Sequence, residues 1–322
     1  MDTPSLRVIR AIGLATLLLA TPALTGCDGE TIGVTIDPSR STPRIGVNLP
    51  PIFDWALTPV FVDLMDQARR FGTPQAPWDE QATLGDDGWP IGDFGVLLAT
   101  RQQDTSHFPG AYTVRFRGRA KVTLVASRGA LGEPTYDPQR GLTTLTLRLP
   151  DDANQLALAF TGTGTGIRDL QVLRPGYDTE NAPLFTRAFL DHIAPFGTVR
   201  LMDWLRTNNN PVRHWSERAT PQATHYASPK GIPWEYVIAL ARETQQDLWI
   251  NIPAQADDGY VLRLARLLQR ELPRTTRLYV EYSNEVWNAQ FAQHAQNRAL
   301  AIAEVRADPA STLAYDGSND MA

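Results

Sequence analysis

Apolar and polar positions follow different periods in successive stretches of the chain. Residues 11–20 are an apolar run, and residues 28–43 are polar and rich in Pro and Ser. Residues 44–49 (Arg-Ile-Gly-Val-Asn-Leu) suit a short buried strand, stopped by Pro50-Pro51. Over 59–71, Val60, Leu64 and Ala68 recur at helical spacing with Phe61 beside them, which predicts a helix. Residues 85–95 are rich in Gly and Asp around Trp89-Pro90 and read as loop.

From 110 to 175 the period falls to two. Tyr112, Val114 and Phe116 alternate with Thr113, Arg115 and Arg117, and 122–124 and 145–149 alternate likewise. Residues 156–160 and 167–173 are further strand candidates, so this stretch predicts a small antiparallel sandwich. Gly162, Gly164 and Gly166 lie between the last two strands without the spacing or following helix of a dinucleotide site, and read as a hairpin loop.

Beyond 176, strand and helix alternate. Phe185, Ala188, Phe189 and Ile193 suit a helix, followed by a strand at 198–203. Pro233 opens a helix with Trp234, Val237, Ile238 and Ala241 on one face, before a strand at 248–252. Asp257-Asp258 can cap a helix carrying Val261, Leu264, Ala265 and Leu268. A strand at 278–282 and a helix with Phe291, Ala295, Ala299 and Ile302 complete the series. Repeated βα units imply a parallel sheet, either doubly wound or a barrel.

Composition narrows the partners. The 322 residues carry 30 Lys+Arg against 35 Asp+Glu, a net charge of −5, which disfavours nucleic acid as the main partner. The hydrophobic share of 43% disfavours wholesale disorder. A single cysteine excludes an intrachain disulfide and a multi-cysteine metal site. His214 and His225 stand eleven apart without helical pairing, no phosphate loop or Gly-x-Ser-x-Gly elbow occurs, and no metal or cofactor is expected.

The N-terminus has the layout of a secretory signal: Arg7 and Arg10, the short apolar run, then small residues. That run is too short to span a bilayer, where roughly 20 apolar residues are needed. Leu24-Thr25-Gly26-Cys27 resembles the lipobox of bacterial lipoproteins. The resemblance implies cleavage before Cys27, diacylation of its thiol, and an exported protein lipid-anchored to the cell envelope, with 27–43 as a tether.

Chemistry-bearing residues gather after the last strand, in Tyr282-Ser283-Asn284-Glu285-Val286-Trp287-Asn288. Polar residues beyond a strand's C-terminal end are where βα folds build catalysis. A carboxyl group, an amide and aromatic rings suit a sugar; the same Asn-Glu pair also suits a helix start. The segment from Tyr279 to Asn288 resembles the Asn-Glu signature of clan-A glycoside hydrolases, (β/α)₈ retaining enzymes that include many cellulases and mannanases. There the Glu is the general acid/base and follows the fourth strand. Counting 44–49, 198–203, 248–252 and 278–282 places Glu285 after a fourth strand here. Arg200 matches an Arg on the clan's second strand. Arg200 to Trp204 with Thr207-Asn208, and Pro253 to Asp258, extend the likeness to exported bacterial proteins labelled cellulose-binding or glycosidase-like, over about 44–304.

The resemblance implies that Glu285 protonates the leaving oxygen of a β-linked polysaccharide, that Asn284 bonds the sugar 2-hydroxyl, and that Arg200 positions the nucleophile. Trp204, Trp287 and Trp215 would be stacking platforms, with Asn208 and Asn288 as further substrate contacts. The clan's nucleophile follows a seventh strand, and residues 176–304 are about half of a typical ~250-residue barrel. After Glu304 no further strands and no matching nucleophile are found; Asp203, Glu217, Glu235 and Glu281 remain as carboxylates, with Glu281 inside a strand and placed to pair Arg200.

The expectation is thus an α/β chain: signal peptide 1–26, tether 27–43, first barrel strand and helix 44–109, inserted β-sandwich 110–175, barrel units two to four 176–304, and an irregular tail 305–322. A truncated product or a half-barrel would not run the two-step reaction unaided. The alternatives are a non-catalytic carbohydrate-binding envelope lipoprotein and an envelope interaction module without sugar affinity.

Overall fold

The computed structural model describes residues 45–56, 58–101, 108–177, 181–308 and 310–314. The expected signal peptide, tether and Cys27 lie outside the described residues. So do residues 309 and 315–322 of the tail.

Strand β1 (Gly46–Asn48) opens the described chain. The helix expected over 59–71 is not formed; the segment is extended but for one 3₁₀ turn, Leu64–Gln67. Phe61 bridges to Phe185 and Asp63 to Leu173, which holds the chain straight. Its apolar residues serve two cores. Val60 and Phe61 pack into one, and Leu64 and Ala68 into the other. Helical spacing here records two burial partners rather than one helical stripe. Asp63 caps the turn, accepting the Met65 N–H at 3.0 Å.

The antiparallel region begins earlier than expected. Strand β2 (Phe94–Thr100) precedes β3 (Gly110–Arg117), β4 (Lys121–Leu124), β5 (Ala130–Leu131), β6 (Thr135–Asp137), β7 (Leu142–Leu149), β8 (Gln155–Thr161) and β9 (Arg168–Leu173). One sheet runs β2-β8-β4; the other runs β5-β7-β3-β9, with β6 also on β7. Both β2 and β8 are continuous apolar runs, buried almost throughout, so they lack the alternation that marks a half-exposed strand. Phe94 stacks on Phe160 at 4.8 Å, and Phe116 meets Phe160 edge-on at 5.5 Å, joining the two sheets.

The remainder is α/β. Helix α1 (Arg187–Ile193), strand β10 (Thr198–Arg200), α2 (Trp234–Thr244), β11 (Asp247–Ile252), α3 (Asp258–Glu271), β12 (Leu278–Tyr282) and α4 (Ala292–Ala307) follow in turn. Strand order is β1-β10-β11-β12, all parallel and in chain order. No barrel is closed among the described residues. Pro233 stands at the cap of α2 rather than inside its first turn. Asp257 caps α3, accepting the Tyr260 N–H at 2.7 Å. The Gln246 amide donates to the carbonyls of Ile193 and Phe196 at 2.7 and 2.8 Å, satisfying the end of α1. One face of the sheet packs Val199, Leu248 and Ile250 against Trp234, Val237, Ile238 and Leu264 of the helices.

Helix α4 departs from expectation. Ala295 and Ala299 are exposed, and only Gln293 and Val305 are buried. Along β12, Tyr279, Val280 and Tyr282 are also exposed. The last βα unit is therefore the least buried part of the parallel layer.

Candidate functional site

The register of the parallel sheet assembles the site. Asn48, Arg200, Trp249 and Tyr279 are successive partners across the four strands, so their side chains share the face opposite the helices. One step on, Asn251 partners Glu281.

Glu281 is the hub. Its Oε2 accepts from Arg200 at 2.8 Å, from the Trp249 indole at 2.9 Å and from the Asn251 amide at 2.7 Å. The Arg200 guanidinium lies over the Trp249 ring, 5.2 Å from its centroid. A carboxyl group held by three donors is fixed in place, as its position inside the strand suggests.

The same Arg200 reaches the loop after β12, donating to Asn284 Oδ1 at 2.9 Å. Asn284 in turn donates to Asn208 Oδ1 at 3.1 Å. Gln293 donates to Asn208 Oδ1 at 2.7 Å and to the Asn284 carbonyl at 2.9 Å. Asn251 closes the loop, bonding the Ser283 carbonyl at 2.7 Å. Arg200, Asn208 and Asn284 are thus brought together as one clamp. These bonds leave the Asn284 amide one N–H and one lone pair.

Around this clamp the backbone is unusual. Ser283 and Glu285 take left-handed φ of +54° and +42°. Non-glycine residues there are strained, and such strain concentrates at functional sites. The turn sends the Glu285 side chain out to solvent, where its Oε2 accepts from Asn288 at 2.9 Å. Trp287 beside it is 73% exposed, leaving its ring accessible.

Two expected platforms fall elsewhere. Trp204 is 1% exposed and presents no face to a sugar. It lies in the α/β core, stacked on Phe185 and Phe189 at 6.3 and 5.6 Å. Trp215 is half-buried, edge-on to Tyr260 at 5.3 Å and covered by Arg218 at 4.3 Å. Asn208 spends its carbonyl on Asn284 and Gln293 and is a positioning residue in this arrangement.

The remaining carboxylates from the sequence are engaged. Asp203 accepts from Asn48 at 3.0 Å, and Glu235 pairs Arg218 at 2.7 Å. Glu217 accepts the N–H groups of His214 and Arg213, which hold its carboxyl below the usual range. His214 bonds Asp257 at 2.6 Å, and that bond leads the lowering of the Asp257 carboxyl. His225 instead packs edge-on to Phe71, where burial pushes its imidazole down to about 4. Among the described residues, no group of three or more His, Cys, Asp or Glu side chains is placed to hold a metal ion.

Sequence reasoning passed over Trp249, Tyr279, Asn48, Asn251 and Gln293. Alternation carried a signal for the first four, since each sits one step from an inward-facing apolar residue. Gln293 carries none, because its bonds join segments far apart in the chain. Trp55 was also passed over. It is 40% exposed in the loop after β1, stacked on Phe53 at 4.1 Å, with Arg206 on the other ring.

Comparison of the chain with protein-family models, with curated proteins and with solved structures returns no match.

Proposed function

We propose that this is a glycoside hydrolase-like protein that engages a β-linked polysaccharide, with Glu285 as general acid/base of a retaining mechanism. In this reading the four parallel strands in chain order are the first half of a (β/α)₈ barrel. The carrying observation is the Arg200–Asn284 bond at 2.9 Å, which ties the second strand to an Asn-Glu pair beyond the fourth. Glu285 donates its proton to the glycosidic oxygen and later takes one from water. Asn284 offers its free N–H to a ring hydroxyl, and Trp287 offers a stacking face.

A retaining enzyme needs a second carboxylate roughly 5–5.5 Å from the first. Asp203, Glu217, Glu235 and Glu281 are all committed to other partners. That favours, as second reading, a carbohydrate-binding envelope lipoprotein without turnover, and implies that the residues described here do not complete the two-step reaction alone. We further propose that Cys27 carries the lipid; Cys27→Ala then moves the protein from the membrane to the soluble fraction.

The test is calorimetric binding and reducing-end release with β-linked glucan, mannan and xylan oligosaccharides. Saturable binding is expected to weaken about tenfold in Trp287→Ala, which corresponds to about 1.4 kcal/mol. Any turnover is expected to fall 10²–10⁴-fold in Glu285→Gln. Turnover that survives Glu285→Gln unchanged overturns the acid/base assignment. Absence of binding to every oligosaccharide overturns the carbohydrate reading.

A further inference from the structure

A cavity lies where the antiparallel sheets meet the helical layer. It shares no lining residue with the Glu285 loop, and its volume is about 690 Å³, within the ~300–1,000 Å³ of small-molecule sites. Asp63 and Asp66 line it from the 3₁₀ segment, Arg115 and Gln171 from β3 and β9, and Tyr236 from α2, with Trp89 contributing a half-buried ring.

The lining groups differ in how far they are spent. Asp63 Oδ1 accepts the N–H groups of Met65 and Val172, at 3.0 and 2.9 Å, and so fixes the wall. Asp66 accepts only a long bond, 3.3 Å from the Tyr236 hydroxyl, against about four lone-pair positions on a carboxylate. Arg115 gives its Nε–H to Gln171 at 2.6 Å, leaving the outer N–H groups of its guanidinium. Both donors and acceptors therefore line one space.

Charge selects the class of occupant. Three carboxylates (Asp63, Asp66, Asp169) face three guanidinium groups (Arg115, Arg117, Arg140), and Arg117 already pairs Asp169 at 2.8 Å. The lining has no net charge to attract an anion or a cation. The carboxylates accept, the guanidinium and amide groups donate, and the Tyr236 phenol does both, which matches the mixed donor and acceptor hydroxyls of a sugar.

We propose that this cavity is a second ligand site, independent of the Glu285 loop, that takes a short neutral oligosaccharide through Asp66, Tyr236, Gln171 and Arg115 with Trp89 against a sugar face. The experiment is calorimetric titration of the full chain with cellohexaose and mannohexaose, repeated in three variants. Ala223 lines the cavity and is exposed, so Ala223→Trp narrows the space without entering a core. Tyr236→Phe removes one hydroxyl and keeps the ring. Trp287→Ala disables the other site. At least one hexaose is expected to show binding that survives Trp287→Ala, falls at least tenfold in Ala223→Trp, and falls roughly 3- to 10-fold in Tyr236→Phe, the range for one hydrogen bond. Binding lost in Trp287→Ala and unchanged in Ala223→Trp overturns this site while leaving the Glu285 reading intact. No binding of either hexaose by the unaltered chain overturns it as well, and so does binding confined to sulfated or uronic oligosaccharides.

Discussion

The two sheet systems bury their residues differently. In the antiparallel region β8 has five consecutive buried residues, and the facing sheets enclose Phe94, Phe116 and Phe160 with none exposed. In the parallel region the helix-facing side is closed as far as β11 and opens at β12, where Val280 pairs with Ile250. Its other face carries Asn48, Arg200, Trp249 and Glu281, and its last strand leaves Val280 60% exposed. The first region is held by apolar burial, the second by apolar burial on one side and a polar network on the other. Stability and chemistry are thus assigned to different faces, and the polar face is where the Asn-Glu loop is anchored.

Removing apolar volume tests this contrast most strongly. Phe160→Ala is expected to cost about 3–5 kcal/mol by urea unfolding, while Val280→Ala in β12 stays within about 0.5 kcal/mol. Equal losses would break the contrast. Acid comes next. Burial holds His225 neutral, about 4 when folded against 6.5 when free, so the unfolded chain binds the extra proton between those values. Stability from this group is complete above about pH 6.5 and falls by roughly 3 kcal/mol as pH drops to about 4. In His225→Gln that part of the acid loss should vanish when unfolding is compared at pH 7 and pH 4.5. A smaller effect follows from Arg200→Met, which takes one donor from Glu281 and one from Asn284. About 1–3 kcal/mol should be lost, together with weaker glycan binding, because the clamp on the loop is released. Smallest in stability is Trp287→Ala: within about 0.5 kcal/mol in unfolding, while binding drops about tenfold.

Much of the parallel layer was legible because each strand pairs with the next in chain order and each helix before α4 buries one stripe. The strand at 278–282 and the Asp257 cap stand where patterning put them. The 59–71 segment misled because its apolar residues divide between two cores, which a single-chain periodicity cannot separate. Strand β2 was hidden by its own burial, since a continuous apolar run beside a Gly-rich loop carries no period. At the site, Glu281 paired with Arg200 was readable from its place inside a strand. Trp204 was not: a tryptophan flanked by Asp203 and Thr207-Asn208 looks the same in sequence whether its ring faces solvent or Phe185. The Asn208–Gln293 link depends on the loop after β12 folding back, and nothing local to either residue encodes it.

The left-handed turn at Glu285 has a consequence for how the position can change. Glycine tolerates that backbone without penalty and asparagine tolerates it better than glutamate does. Glu285→Gly is therefore expected to ease folding while deleting the carboxyl. Drift away from glutamate runs downhill for the scaffold, so only a demand placed on the acid itself would hold it in this turn.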